Sequence, residues 1–134
     1  IKGFGKSVSG KAVQANKAAL TRKLEDDIIK EIKACNIRGT VKLGTDNLDV
    51  SEFSFDSEHI QKRKHGVSRT EAENYIKTAK FRVIKWNGKF VNYYSLEGAS
   101  YVDVEEKNIR TAYTNKEYTK NIIDALEVLK KHGR

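Results

Sequence analysis

The spacing of apolar residues changes period near the middle of the chain. Leu20, Leu24, Ile28, Ile32 and Cys35 recur at intervals of 4, 4, 4 and 3, with Ile29 beside them. That is the repeat of an amphipathic helix, and it predicts one over 11–36. Asn36 and Gly39 punctuate its end. Residues 1–10, rich in Gly, Ser and Lys, read as a flexible start. Thr40–Leu43 reads as a short strand. Residues 44–56 read as a loop with a short extended piece around Phe53 and Phe55. Asp56 or Ser57 can cap a short helix, Glu58–Lys64, with Gly66 placed to end it. Ser68-Arg69-Thr70-Glu71 is a capping-box pattern and predicts a helix over 69–79, with Ala72, Tyr75, Ile76 and Ala79 as its apolar stripe.

Beyond residue 80 the period becomes two. Phe81–Trp86 and Lys89–Ser95 flank Asn87-Gly88, a pair that tolerates the positive φ of a type I′ hairpin turn. Trp86 is expected to pack against this hairpin. Glu97-Gly98-Ala99 makes the next turn. Tyr101–Glu105 and Ile109–Tyr113 form two further strands around Glu106-Lys107-Asn108. Thr114 or Asn115 then caps a last helix with Tyr118, Ile122, Leu126 and Leu129 on one face. The expected fold class is α+β: N-terminal helices, then a four-stranded antiparallel meander and a C-terminal helix. Helices on one face of the sheet would leave the other free as a binding surface.

Composition narrows the class. A chain of 134 residues fits one domain. No apolar run approaches the ~20 residues of a membrane span. Ile1-Lys2-Gly3-Phe4-Gly5 lacks the apolar stretch of a signal peptide. The single cysteine, Cys35, excludes an internal disulfide and a four-cysteine zinc site, and its place on the helical stripe makes it a core residue. The chain holds no Met, which reads as a domain cut from a longer polypeptide.

Charge is distributed in blocks. Residues 1–38 carry 9 Lys/Arg against 4 Asp/Glu, and residues 59–92 carry 9 against 2. Residues 39–58 are acidic and residues 93–134 balanced. Basic blocks suit a phosphate polymer, because each neutralised phosphate releases counterions. They also suit mere solubility.

The richest segment for chemistry is His59-Ile60-Gln61-Lys62-Arg63-Lys64-His65, with two imidazoles among three cations. Cleaving RNA without a metal needs a base for the 2′-OH, an acid for the leaving 5′-oxygen, and fixed donors or charge for the phosphorane. Histidine titrates near neutrality and serves as either. His59, Lys62 and His65 would share one slanting helix stripe. Thr111 and Tyr113 share one face of the last strand by its period of two, where a hydroxyl can donate to a phosphoryl oxygen and an aromatic ring can stack on a base. Tyr93, Tyr94 and Tyr101 invite the same stacking reading beside that of core packing. No GxxxxGK or HExxH motif is present, and Asp46, Asp49, Glu52 and Asp56 match no calcium loop. No metal or other cofactor is called for.

These residues, in this order, resemble the colicin D nuclease domain, one of the toxin ribonucleases of barnase, EndoU, colicin and RelE types. Lys62-x-Lys64-His65 matches the family's K-x-K-H motif, whose histidine is catalytic and whose lysines hold the phosphate. Thr111-Ala112-Tyr113 stands where that family has Ser-x-Trp, keeping a hydroxyl and an aromatic. His59–Gly66 with Asn92-Tyr93-Tyr94-Ser95 and Gly98 is also similar to toxin domains at the C-termini of contact-dependent inhibition and phage head-morphogenesis proteins.

The resemblance covers roughly residues 53–134. It divides the chain into a helical or linker region, 1–50, and a nuclease domain, 51–134, packed as one unit. It implies a metal-independent tRNase leaving a 2′,3′-cyclic phosphate. His65, Lys62, Lys64, Thr111, Tyr113 and His59 would be catalytic, and Arg63, Tyr94, Ser95 and Arg110 would hold substrate. It further implies a cognate acidic immunity protein, delivery within a larger secreted toxin, and action in the target-cell cytoplasm. A host activator protein is left open. Two rivals stand beside this reading: a non-catalytic nucleic-acid-binding module, and an interaction domain of a phage particle or secreted protein.

Overall fold

The computed structural model describes residues 2–55 and 66–134, with side chains from residue 17 onward. In chain order its elements are α1 (Lys2–Ala34), β1 (Thr40–Leu43), β2 (Ser54–Phe55), α2 (Arg69–Lys77), β3 (Phe81–Lys85), β4 (Phe90–Tyr94), β5 (Gly98–Asp103), β6 (Asn108–Thr114) and α3 (Lys120–Lys131). The short helix expected over Glu58–Lys64 lies outside the described residues.

The period-two half pairs with itself in sequence order: β3, β4, β5 and β6 are joined by antiparallel ladders. Around the Asn87-Gly88 turn the Lys89 amide donates to the Trp86 carbonyl at 3.1 Å. Both turn residues have positive φ, 54° and 93°, as a left-handed hairpin turn requires. The sheet is larger than the expected four strands and is mixed. β1 adds antiparallel to β3, with Val41 opposite Val83. β2 adds parallel to β6, with Phe55 opposite Ile109. The order is β1-β3-β4-β5-β6-β2, and the class is α+β.

Helices cover both faces rather than one. α2 lies on the face that carries Val91, Tyr93, Val102, Ile109 and Ala112, with Ala72, Tyr75 and Ile76 inward. α1 and α3 lie on the other, where Ile28, Ile32, Ile122, Ala125 and Leu129 meet Val41, Phe81, Val83 and Tyr94. The reason is in the strands. Tyr93 and Tyr94 are adjacent and point to opposite faces, and both are buried. A sheet apolar on two sides must be covered on two sides. Fully burying each isoleucine of α1 contributes roughly 1.5–3 kcal/mol.

The helices follow their local signals with two displacements. Ser68 caps α2 as the capping box predicts: its hydroxyl accepts from the Glu71 amide at 3.2 Å, and the Ser68 amide donates to the Glu71 carboxylate at 3.3 Å. α1 begins at Lys2, not near residue 11. Extending an existing helix fixes one residue per hydrogen bond gained, whereas a nucleus fixes several for one. Only the C-terminal part of its stripe is used: Ile28 and Ile32 are buried, while Leu20 is 66% exposed.

α3 starts at Lys120, later than expected. Thr114 opens a single 3₁₀ turn, Asn115–Glu117. Tyr118 is then held extended, at φ −63° and ψ 133°, while its hydroxyl donates to the Ser95 carbonyl at 2.6 Å. His132 Nε2 lies 3.2 Å from a Glu31 carboxylate oxygen and ties α3 to α1.

Candidate functional site

The face under α1 and α3 is covered over β1 and β3 and opens over β5 and β6. There the half-buried Tyr101, Thr111 and Tyr113 stand side by side. Register explains how Arg110 joins them. Tyr101 pairs with Thr111, but Val102 pairs with Ile109, so Arg110 is the extra residue of a bulge. A bulge re-aims the chain locally. Ile109 stays in the core beneath α2, while the Arg110 guanidinium lies 4.5 Å from the centroid of the Phe90 ring. Phe90 lies opposite both Lys85 on β3 and Asp103 on β5.

A cleft of about 270 Å³ opens on this face between the end of α1 and the start of α3. Arg38 and Lys85 stand on one side, Thr119 and Asn121 on another, and Tyr94, Tyr101 and Tyr113 line its floor. None of the described residues lining it is a carboxylate. Its hydroxyls form a chain. Tyr94 Oη is 3.2 Å from Tyr101 Oη, which is 2.6 Å from Tyr113 Oη. The rings of Tyr101 and Tyr113 meet edge to face at 5.5 Å.

Burial pushes the Tyr94, Tyr101, Tyr113 and Tyr118 hydroxyls well above the ordinary tyrosine range, because the low-dielectric surroundings disfavour phenolate. At neutral pH they are neutral donors. Tyr118 spends its proton on the Ser95 carbonyl; the hydroxyl chain of the cleft can hydrogen-bond a phosphoryl oxygen, but its members are poor bases.

Of the sequence-predicted set, Tyr94 and Tyr113 line the cleft; Thr111 lies opposite Tyr101 on the neighbouring strand and Arg110 lies over Phe90, and neither is among the lining residues. Ser95 is elsewhere in role. It is 1% exposed. Its hydroxyl donates to the Gly98 carbonyl at 2.7 Å and accepts from the Gly98 and Glu97 amides, holding the β4–β5 turn. Tyr93 is buried on the opposite face, where it donates to Asp46 at 2.9 Å. His59, Lys62, Arg63, Lys64 and His65 lie outside the described residues.

Sequence reasoning missed Arg38, Lys85 and Asn121. Lys85 was legible in principle, since pairing across the Asn87-Gly88 turn sets it opposite Phe90. Arg38 was not, because its place depends on α1 docking against the sheet. Among the described residues, no group of three or more His, Cys, Asp or Glu is placed to hold a metal ion, and no helix is long and apolar enough to cross a membrane. Comparison with protein-family models, with curated proteins and with solved structures finds no match to this chain.

Proposed function

We propose that this domain is a metal-independent endoribonuclease of toxin type that cleaves tRNA. The observation that supports it best is the open sheet face. Tyr94, Tyr101 and Tyr113 meet Arg38 and Lys85 there, with no carboxylate among the described lining residues. A cleft of neutral hydroxyl donors and cations is suited to an anion that gains charge on the way to its transition state.

In this reading the 2′-oxygen forms a bond to the adjacent phosphorus and the bond to the 5′-oxygen breaks, leaving a 2′,3′-cyclic phosphate. One general base takes the 2′-OH proton and one general acid gives a proton to the 5′-oxygen. His65 fills one of these roles and His59 is the partner candidate. Lys62 and Lys64 hold the phosphate, Thr111 donates to it, and Tyr113 orients the base or leaving group. Arg63, Arg110 and Tyr94 contribute to substrate binding, and Ser95 acts only by shaping its turn. The resemblance to colicin D-type nucleases carries the histidine and lysine assignments. It also carries the acidic immunity protein, delivery within a larger toxin, and action in the target-cell cytoplasm.

Total tRNA incubated with the purified chain in EDTA tests the reading. Discrete fragments ending in 2′,3′-cyclic phosphate are expected. His65→Ala should slow their appearance by at least ~100-fold. Intact tRNA, bound equally well by wild type and His65→Ala, would leave a binding module instead. No binding and no cleavage would leave an interaction domain.

A further inference from the structure

Trp86 is the only tryptophan of the chain, and its side chain is 78% exposed. It does not pack beneath the hairpin. Among the described residues its one ring neighbour is Phe90, perpendicular to it at 6.4 Å, and most of the indole faces solvent. Its backbone sits in the left-handed region, φ 54°. A bulky aromatic seldom adopts that conformation, and it costs free energy here with no burial in return.

The surroundings are cationic. A groove along the hairpin tip is lined by Arg38, Lys85, Trp86 and Asn87, with no carboxylate among the described lining residues. Arg38 and Lys85 also line the tyrosine cleft, so the two share a cationic border. Arg110 stacks on Phe90. Lys89 lies 5.1 Å from the same ring and is partly neutralised by Asp103 at 3.9 Å.

We infer that Trp86 is a stacking platform for an unpaired nucleobase of single-stranded RNA whose backbone runs from the cleft across Arg38 and Lys85. This rests on the RNA reading above and adds a second point of contact to it. An exposed aromatic ring flanked by cations is the arrangement that binds single strands without reading sequence: the ring takes any base face and the cations take the phosphates. Duplex RNA keeps its bases stacked on one another and cannot supply a free face. The platform therefore selects loops and ends.

The experiment uses the full chain and a single-stranded RNA 12-mer with 2′-O-methyl groups, which cannot undergo attack by its own 2′-oxygen. Binding is followed by anisotropy of a labelled oligomer and, separately, by emission of the lone indole with an unlabelled one. Saturable quenching of the indole over the concentration range of binding is expected, with much weaker quenching by a duplex of equal length. Trp86→Ala should weaken single-strand binding about 5- to 150-fold, the range for one lost base–aromatic stack, and Trp86→Phe should restore most of it. Binding by anisotropy with unchanged indole emission, and Trp86→Ala binding as tightly as wild type, would overturn the platform and leave the RNA reading intact. No binding of the oligomer or of tRNA would overturn both. The quenching arm needs no variant, so it stands even if Trp86→Ala misfolds.

Discussion

Thr111 owes its position to the residue before it. Because Arg110 is extra to the β5–β6 ladder, both side chains serve the face that Tyr101 shares. Thr111→Val keeps the shape and removes only the hydroxyl. Cleavage of tRNA should fall about tenfold or more, in line with one lost donor worth roughly 1.5–3 kcal/mol to a charged group, while the melting temperature stays nearly constant. An unchanged rate with a large drop in melting temperature would make Thr111 a packing residue.

The pairing of Thr111 with Tyr113 on one face was legible from the period of two. The arrival of Arg110 beside them was not, since strict alternation sends residue 110 to the opposite face. A bulge is a property of the partner strand's register and leaves no mark in the local pattern. Ser95 shows the converse limit. Its type suits a ligand contact, but the turn it closes at Gly98 consumes the hydroxyl.

Among the elements, signals confined to a few adjacent residues carried over well. The Ser68–Glu71 box, the Asn87-Gly88 turn and three of the four consecutive strands formed where expected, while β5 starts at Gly98 rather than Tyr101 and takes in Gly98 and Ala99, which were expected in the turn. Thr40–Leu43 and the extended piece at Phe55 formed too, but their places in the sheet, beside β3 and β6, depend on distant partners and were not legible, and α3 starts late because Tyr118 is held by the Ser95 carbonyl.

Gly98 marks where elements approach most closely. A Cβ there would meet the Tyr113 carbonyl oxygen at 2.5 Å and the Tyr75 ring at the same distance. The first is backbone and the second is wedged beneath α2, so neither can yield cheaply. Gly98→Ala should destabilise the fold by about 1–3 kcal/mol, the usual range for overpacking. Urea denaturation would read this as a lower midpoint at constant slope. Stability equal to wild type would show that the β5–β6 ladder can shift freely.

For the molecule as a whole, all six tyrosines are pushed toward the neutral form by burial: Tyr75, Tyr93, Tyr94, Tyr101, Tyr113 and Tyr118. Their folded-state values lie above the ordinary 10.0. Above that pH the unfolded chain loses phenolic protons that the folded chain keeps. The stability they lend is therefore complete below pH ~10 and is lost as pH rises beyond it. Thermal melting should be flat with respect to these groups near pH 8–9 and fall steeply past pH ~10. Tyr101→Phe should make that fall shallower. A melting temperature constant to pH ~11.5 would contradict this burial.

The charge of +8 makes a second whole-molecule prediction. RNA affinity should decline with salt at a log–log slope of about −0.7 per phosphate neutralised. Lys62→Ala should reduce that slope by roughly one contact. A flat response would remove the nucleic-acid reading.

The pairing of β1 with β3 also has a consequence during synthesis. Val41 has no strand to join until Val83 has been made. Ile28 and Ile32 have no sheet to cover until Phe81 and Tyr94 exist. A ribosome making this chain from its N-terminal end thus releases the apolar stripe of the first helix well before its shelter. The hairpin that follows closes in microseconds once exposed, but translation proceeds at roughly 5–20 residues per second. For seconds at a time the nascent chain presents isoleucines that a chaperone, or a neighbouring nascent chain, is free to claim.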